Sequence, residues 1–399
     1  MQLESSDVEY LDEKMLLDTI VICVLIVLGV YFVSRKMWYT IGTTLIYQIR
    51  YYYVGAVYHF DDLLNARYNK TDLPLLPNKI AIVTGGSKGI GAEVVKKLLQ
   101  CNMEVIIACR TTTAGEKLIL EIRKSGITSG RAKVYKLDNC SLESVREFVK
   151  KIKADYDKIH ILINNAGVMF IPYTETEDGF EEQWAVNYLS HFLLVSLLLP
   201  LLKAGGHPGD CSRIINVTSC VHYIGDIDFA SISNSSKSTF FTQAAYGQSK
   251  LAQTIFTTTL QKLLIDKSLN VLVYSVHPGI VKTDLFKDTI LGRNKWFMMA
   301  WKTPDQGAIS IIYAALNKDI ERKGGIYISN CKEAALPPLA LEEQIRKQLF
   351  ELSLKQVPAL YVTRQKIVFI ISLFEECILH EIIYTLNLYI FLNDVTNLT

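Results

Sequence analysis

The chain has 399 residues, enough by length alone for two or three domains, and half of them are hydrophobic. Its 42 basic and 40 acidic residues leave a net charge of +2, so there is no electrostatic basis for binding nucleic acid. The eight cysteines are scattered without a C-x-x-C pair or a Cys/His cluster, which argues against a metal site or a disulfide framework and fits a reducing compartment.

Residues 1–14 form an acidic tail, with Glu4, Asp7, Glu9, Asp12 and Glu13 against Lys14. An apolar run follows from Thr19 to Val33, extended backwards across Asp18 by Met15-Leu16-Leu17, and Ser34-Arg35-Lys36 closes it. A spanning helix needs about 20 apolar residues, with ~17 tolerated. Three readings fit residues 15–36: an uncleaved anchor, a signal peptide and a buried helix. A signal peptide carries its positive charge before the apolar run, the reverse of the order here, which favours the anchor. Arg35 and Lys36 on the C-terminal flank then predict that the bulk of the protein faces the cytosol.

Residues 37–78 are expected to be an interfacial segment and linker. Tyr39, Tyr47, Tyr51, Tyr52, Tyr53 and Tyr58, with Trp38, suit the headgroup level of a bilayer, although ordinary packing against a domain explains them too. Arg50 weighs against a second span, and Pro74 and Pro77 mark the linker's end. Asn69, Asn139, Asn216, Asn234 and Asn397 open glycosylation sequons, which a chain this long contains by chance.

From Lys79 onward short apolar runs alternate with amphipathic stretches. Ile80–Thr84, Glu104–Cys109, Ala132–Leu137, Ile159–Asn164, Arg213–Ser219, Asn270–Val276 and Gly325–Ile328 read as strands. Helical patterns cover Ala92–Cys101, Ser141–Tyr156, Glu177–Leu202 and Tyr246–Leu264. This alternation predicts an α/β fold, a Rossmann-type doubly wound parallel sheet forming a single domain. Strands as continuously apolar as Ile80-Ala81-Ile82-Val83 suit a sheet covered on both faces.

The first strand runs into Thr84-Gly85-Gly86-Ser87-Lys88-Gly89-Ile90-Gly91 and then a helix. Glycines there allow a tight turn and close approach of a pyrophosphate to the helix N-terminus. The spacing is Gly-x-x-x-Gly-x-Gly, so the motif gains its weight from lying between strand and helix. An NAD-selecting strand usually ends in Asp or Glu about 20 residues further on. Here it ends in Cys109-Arg110, 19 residues after Gly91. Arg110 and Lys88 suit the 2′-phosphate of NADP(H), with NAD(H) bound at lower affinity, or are solvated surface charges.

Asn164-Asn165-Ala166-Gly167 closes the fourth strand, where Asn side chains can tie loops through backbone hydrogen bonds. Asn187 lies in a helical pattern that it suits poorly, and is either functionally placed or a helix-surface residue. Ser219 stands at the C-terminal end of a strand, the edge at which open parallel sheets bind ligands. In Tyr246-Gly247-Gln248-Ser249-Lys250 the phenol and the ammonium are four residues apart on one helical face. A phenol titrates near ~10, a neighbouring cation lowers that value, and a Tyr so tuned can exchange a proton with an alcohol.

This ordered set, completed by His277-Pro278-Gly279, resembles the short-chain dehydrogenase/reductases over residues 79–331. Ala108-Cys109-Arg110, Asp178-Gly179-Phe180-Glu181 and Asn187-Tyr188-Leu189-Ser190-His191-Phe192 resemble the retinol-dehydrogenase-like branch, including its members linked to polyprenol and dolichol metabolism. The resemblance implies roles. Tyr246 would be the acid/base, Lys250 would lower its pKa and hold the nicotinamide ribose, Ser219 would bond the substrate oxygen, and Asn187 would seat a relay water. Gly85, Ser87, Lys88, Gly89, Ile90, Gly91 and Arg110 would hold the dinucleotide phosphates, with Asp138 near the adenine. Leu137-Asp138 departs from the commoner Asp-Leu order. Asn165, Ala166 and Gly167 would floor the cleft, while Pro278, Gly279 and Thr283 would cover the carboxamide side. Thr218 stands where the branch often has Ser, and keeps the hydroxyl.

Residues 332–399 are expected to be a C-terminal extension. From Lys366, Ser372, Glu376, His380 and Tyr384 recur every four residues as a polar stripe on an apolar face, which fits an amphipathic helix lying on a membrane or docked on the domain. The resemblance implies a membrane-bound NADP-dependent oxidoreductase acting on an apolar alcohol or carbonyl such as a polyprenol, dolichal, retinoid or steroid. The contrasting reading is a catalytically silent nucleotide-binding scaffold or sensor on the same fold. Membrane lipid and a hydrophobic small molecule are the expected partners, and a homo-oligomer is compatible with the sequence.

Overall fold

The computed structural model describes Val21, Leu25 and residues 41–233, 237, 240–286 and 301–357. The expected anchor (apart from Val21 and Leu25), residues 287–300 of the loop before Trp301, and the polar-striped segment after Lys366 lie outside the described residues. The chain divides into two compact units, Met1–Tyr53 and Val54–Thr399. In the first, residues 41–53 are helical and leave Ile41, Leu45, Ile46, Ile49, Tyr52 and Tyr53 exposed. In the second, residues 54–65 are helical and a 3₁₀ turn follows at Ala66–Tyr68. The second unit thus takes in residues 54–78 as well as the α/β pattern from Lys79 onward.

Eight strands form one sheet: β1 Ile80–Thr84, β2 Glu104–Cys109, β3 Arg131–Lys136, β4 Ile161–Asn164, β5 Ser212–Val217, β6 Val271–His277, β7 Tyr327–Ser329 and β8 Lys332–Ala334. Their order is β3-β2-β1-β4-β5-β6-β7-β8, parallel throughout except for the last pair. Ile82 on β1 lies beside Ile106 of β2 and Leu162 of β4. The chain reverses its direction of travel across the sheet between β1 and β4, which opens a crevice at the carboxyl ends of those strands.

Side-chain alternation sorts each strand between two cores. Ile82, Ile106, Leu162 and Ile214 join one core with helices α3 Leu142–Asp155, α4 Glu182–Gly205, α5 Thr242–Asp266 and α7 Glu343–Gln356. Ala81, Val83, Ile107 and Ile163 join the other, with α1 Gly89–Gln100, α2 Thr112–Lys124 and α6 Pro304–Leu316. The helix signals are local. Ser141 caps α3 by accepting from Ser144 N at 3.2 Å, ahead of the buried row Leu142, Val145, Phe148, Val149 and Ile152. Thr303 and Gln306 form a capping box on α6, with Pro304 in its first turn.

Helix α4 is the described helix long and apolar enough to cross a membrane, yet it is mostly buried inside the domain. Its Phe192 packs on Phe256 of α5 and Phe350 of α7, with ring centroids 5.1 and 5.5 Å apart. Beyond Cys331 the fold continues: β8 extends the sheet, and Leu349, Phe350, Leu354 and Val357 complete the first core. Three of the sequon asparagines, Asn69, Asn139 and Asn216, are buried.

Candidate active site

The turn from β1 into α1 is shaped by what a side chain would strike. Gly85 and Gly89 take φ of +61° and +56°, the left-handed region that favours glycine. A Cβ on Gly91 would lie 2.4 Å from the Gly85 carbonyl oxygen and 2.6 Å from Asn165 Nδ2. The loop thus folds flat against its neighbours and leaves the backbone N–H groups at the start of α1 open, a cradle that fits a pyrophosphate.

Thr84 fastens that loop. Its Oγ1 accepts from the backbone N–H groups of Asn165 and Ala166, at 2.9 and 3.0 Å, and lies 3.0 Å from His191 Nε2. Asn165 Nδ2 donates back to the Thr84 carbonyl at 2.9 Å. Burial drives the His191 pKa down to about 3, so the ring is neutral at physiological pH. Its Nδ1 faces the Asn187 carbonyl at 3.1 Å, which requires the proton on Nδ1 and makes Nε2 the acceptor of the Thr84 hydroxyl. The sequence placed His191 only within a motif and gave it no role.

Asn187 sits in a π turn, Ala185–Leu189, and is fully buried rather than on the helix surface. Such insertions recur at functional sites. Its Oδ1 accepts from Val168 N at 2.8 Å, and its Nδ2 donates to Val168 O at 2.9 Å and Ser249 Oγ at 3.0 Å. A Cβ on Gly167 would lie 3.2 Å from Asn187 Oδ1 and 3.7 Å from Lys250 Nζ, so Gly167, Asn187 and Lys250 converge. Helix α5 opens at Thr242, and Tyr246 and Lys250 therefore lie in its second and third turns, both buried.

Lys250 Nζ donates to Val217 O at 2.8 Å and Gln253 Oε1 at 2.9 Å, and stands 5.8 Å from the Tyr246 ring centroid. Gln253, three residues on along the same face, went unnoticed in the sequence although its spacing from Lys250 was the available signal. Thr218 Oγ1 donates to the Lys250 carbonyl at 2.9 Å, tying the end of β5 to α5. Ser219 follows, and its Oγ accepts from Val221 N at 3.4 Å.

Burial raises the Tyr246 pKa well above its ordinary value, and hydrogen bonding with Ser219 offsets part of that. Burial also lowers Lys250 from 10.5 to about 7. Tyr246 is thus raised rather than lowered: burial dominates it, and Nζ of the neighbouring Lys250 is tied back to Val217 and Gln253. Cys220, directly after Ser219, is also buried, and its thiol is pushed up to about 12.

The remaining expected residues line the same edge of the sheet. Lys88 precedes α1 with its side chain 77% exposed, 4.0 Å from the Asp284 carboxylate. Arg110 follows β2 and is exposed. Ser87 hydrogen-bonds the Cys109 thiol. Ile90 is half-buried in the first turn of α1. Asp138, after β3, accepts from Cys140 N at 3.0 Å. Pro278 and Gly279 follow β6, and Thr283 Cγ2 lies 3.5 Å from where a Gly89 Cβ would stand.

A glycine cradle at the reversal point of a parallel sheet, facing a desolvated Tyr–Lys pair across the strand ends, defines a dinucleotide-dependent oxidoreductase of Rossmann type. Residues 79–293 match the family described as short chain dehydrogenase. Human polyprenol dehydrogenase is 37% identical over 322 residues, spanning 79% of this chain and 97% of that protein. Human retinol dehydrogenase 11 is 39% identical over 282 residues, 70% of this chain and 85% of its own. Among solved structures, an uncharacterised protein from Mycobacterium paratuberculosis superposes with a TM-score of 0.58 at 28% identity, covering 72% of this chain and 96% of that one. The chain belongs to the short-chain dehydrogenase/reductase family, in its retinol-dehydrogenase-like branch.

The depressed Lys250 pKa sets a pH signature. An ammonium whose pKa falls on folding opposes folding below the folded value, and that opposition fades as pH rises towards 10.5, because the unfolded chain then binds more protons. Replacing Lys250 with Met removes the effect, which is worth at most on the order of 5 kcal/mol. Thermal melts should therefore show the Lys250→Met protein gaining most over wild type near about pH 6 and losing that advantage by about pH 10. A difference in Tm that stays flat across this range would mean that Lys250 is charged throughout.

Proposed function

We propose that the protein is a membrane-associated oxidoreductase that prefers NADP(H) and interconverts an alcohol and a carbonyl on a long, hydrophobic lipid. The observation that carries the reaction is the buried Tyr246–Lys250 pair, with Ser219 beside it and Gly167 and Asn187 beneath. The bound dinucleotide supplies hydride donor or acceptor chemistry. The chain manages one proton. Its raised pKa keeps Tyr246 protonated, ready to donate to a carbonyl oxygen in reduction, whereas oxidation of an alcohol would start from the phenolate, which takes the alcohol proton. The Ser219 hydroxyl holds that same oxygen. Asn187 keeps the Val168 backbone in place beside Lys250.

Preference for NADP(H) is supported by two exposed cations, Arg110 and Lys88, at the positions that face the adenosine ribose in this fold, and by the absence of an acidic residue at the end of β2. NAD(H) would bind more weakly. A lipid substrate is supported by the relatives named for polyprenol and retinol. Membrane association is supported by where apolar surface remains. Among the described residues, only Leu120, Ile265 and Leu341 of the strongly exposed large apolar side chains lie beyond residue 75. The rest precede it, including Val57, Phe60, Leu63, Leu64 and Tyr68 on or just after the helix at 54–65. With Arg35 and Lys36 flanking the apolar run, the catalytic domain would face the cytosol on an endoplasmic-reticulum-type membrane.

Tyr246→Phe should cut turnover by a factor of roughly 10² to 10⁴ on a panel of isoprenoid and retinoid alcohols, while dinucleotide affinity measured by titration changes little. Near-normal turnover by a folded variant would sink the acid/base assignment. Arg110→Ala should weaken NADPH by roughly tenfold or more, the worth of a charge-assisted contact of ~1.5–3 kcal/mol, and leave NADH almost unchanged. Equal weakening of both would make Arg110 structural. On intact microsomes, added protease should digest the catalytic domain, whereas a protected domain would reverse the orientation.

A further inference from the structure

The outward face of the helix at residues 54–65 is apolar, but its inward face carries a charge. Asp62 and Lys302 form an ion pair of 2.7 Å with side chains only 4% and 2% exposed. Burying such a pair is weak evidence for stability, because desolvation consumes most of the attraction. What distinguishes this pair is where its remaining hydrogen bonds go. Asp62 Oδ2 accepts from the backbone N–H of Ile280 at 2.8 Å, and Lys302 Nζ reaches the Pro278 carbonyl at 3.4 Å.

Asn330, just after β7, steadies both partners. It accepts from Lys302 Nζ at 2.6 Å and donates to Asp62 Oδ1 at 3.1 Å and Asp61 Oδ2 at 2.7 Å. Asn69 Nδ2 donates to the Asn330 side-chain oxygen at 2.8 Å. The Lys302 backbone grips the same turn, donating to Ile280 O at 3.0 Å and accepting from Lys282 N at 2.9 Å. Gly279 has φ +94°, and a Cβ there would fall 2.5 Å from Lys302 Nζ and 2.7 Å from Asp62 Oδ2. Glycine is required at 279 both by its backbone and because the two charges close over it.

We propose that Asp62 and Lys302 are positioning residues for the nicotinamide half of the dinucleotide. They hold the turn Pro278-Gly279-Ile280, which runs on to Thr283 against the glycine cradle, at the height at which it covers the carboxamide. The role rests on the reading above in which Pro278, Gly279 and Thr283 line that side of the cofactor. A helical segment preceding the sheet thereby sets the geometry of one half of the cofactor site. The adenosine half is built from Arg110, Lys88 and the cradle, none of which touches Asp62 or Lys302 in these contacts.

The test compares two ligands on the full-length enzyme: NADPH, and 2′-phospho-ADP-ribose, which lacks the nicotinamide. Asp62→Asn and Lys302→Met should each weaken NADPH on the order of tenfold and leave 2′-phospho-ADP-ribose within about twofold. Removing one partner of a buried pair can prevent folding, so Asp62→Glu and Lys302→Arg, which keep both charges but displace the turn, should give the same selective loss. A merely structural role would weaken both ligands together or neither, and either result in the folded variants overturns the proposal. Wild-type protein that binds neither ligand overturns the dinucleotide reading and this role with it. Wild-type binding of both, with unselective loss in the variants, overturns this role alone.

Discussion

The Thr84 hydroxyl accepts two backbone N–H groups and hands its own proton to a neutral histidine, and three separate pieces of chain meet at that atom. The acceptors' partners belong to the Asn165–Ala166 turn, Thr84 itself ends β1, and His191 reports to Asn187 through the Asn187 carbonyl. With His191 uncharged, Nε2 accepts the Thr84 hydroxyl, whose other acceptor is the Ile163 carbonyl at 3.4 Å. Burial guarantees the neutral form. Removing that single hydroxyl would leave the Ala166 N–H and an imidazole nitrogen without this partner inside the protein, each loss costing about 1–3 kcal/mol, while Asn165 N would keep its bond to the Ile163 carbonyl at 3.1 Å. The cradle, the cleft floor and the π turn are therefore one mechanical unit rather than three motifs.

Much of this was legible in the sequence because it is written in local patterns. The strands are short apolar runs, and the glycines sit where a strand hands over to a helix. Tyr246 and Lys250 are one helical turn apart. Less legible were features whose cause is distant or whose composition is bland. Helix α2 buries little beyond Gly115 and Ile122, so its apolar rhythm is weak. Helix α7 is polar along most of its length, and only its packing on α4 and α5 places it inside the domain, which is why residues beyond Cys331 read as an extension. The start of the compact unit at Val54 was hidden for a related reason. A tyrosine-rich stretch signals an interface, whereas one aspartate in it gives no hint of a lysine at position 302.

Desolvation is the other quantity that spacing cannot convey. Tyr246 and Lys250 are adjacent in any helix, and from adjacency alone the cation should ease the phenol's ionisation. In the folded chain both lose water, and that loss dominates each of them. Asn187 shows the same limit from the opposite side. A poor helix former in a helical pattern is ambiguous until the backbone is seen to widen into a π turn around it, with both ends of the amide engaged.

The same dryness has a chemical consequence for Cys220, the residue after Ser219. Thiolates, not thiols, attack soft electrophiles, and a thiol pushed up to about 12 is almost entirely protonated at neutral pH. By keeping that sulfur buried and protonated, the fold makes it a poor nucleophile, although it directly follows a residue at the carboxyl edge of the sheet.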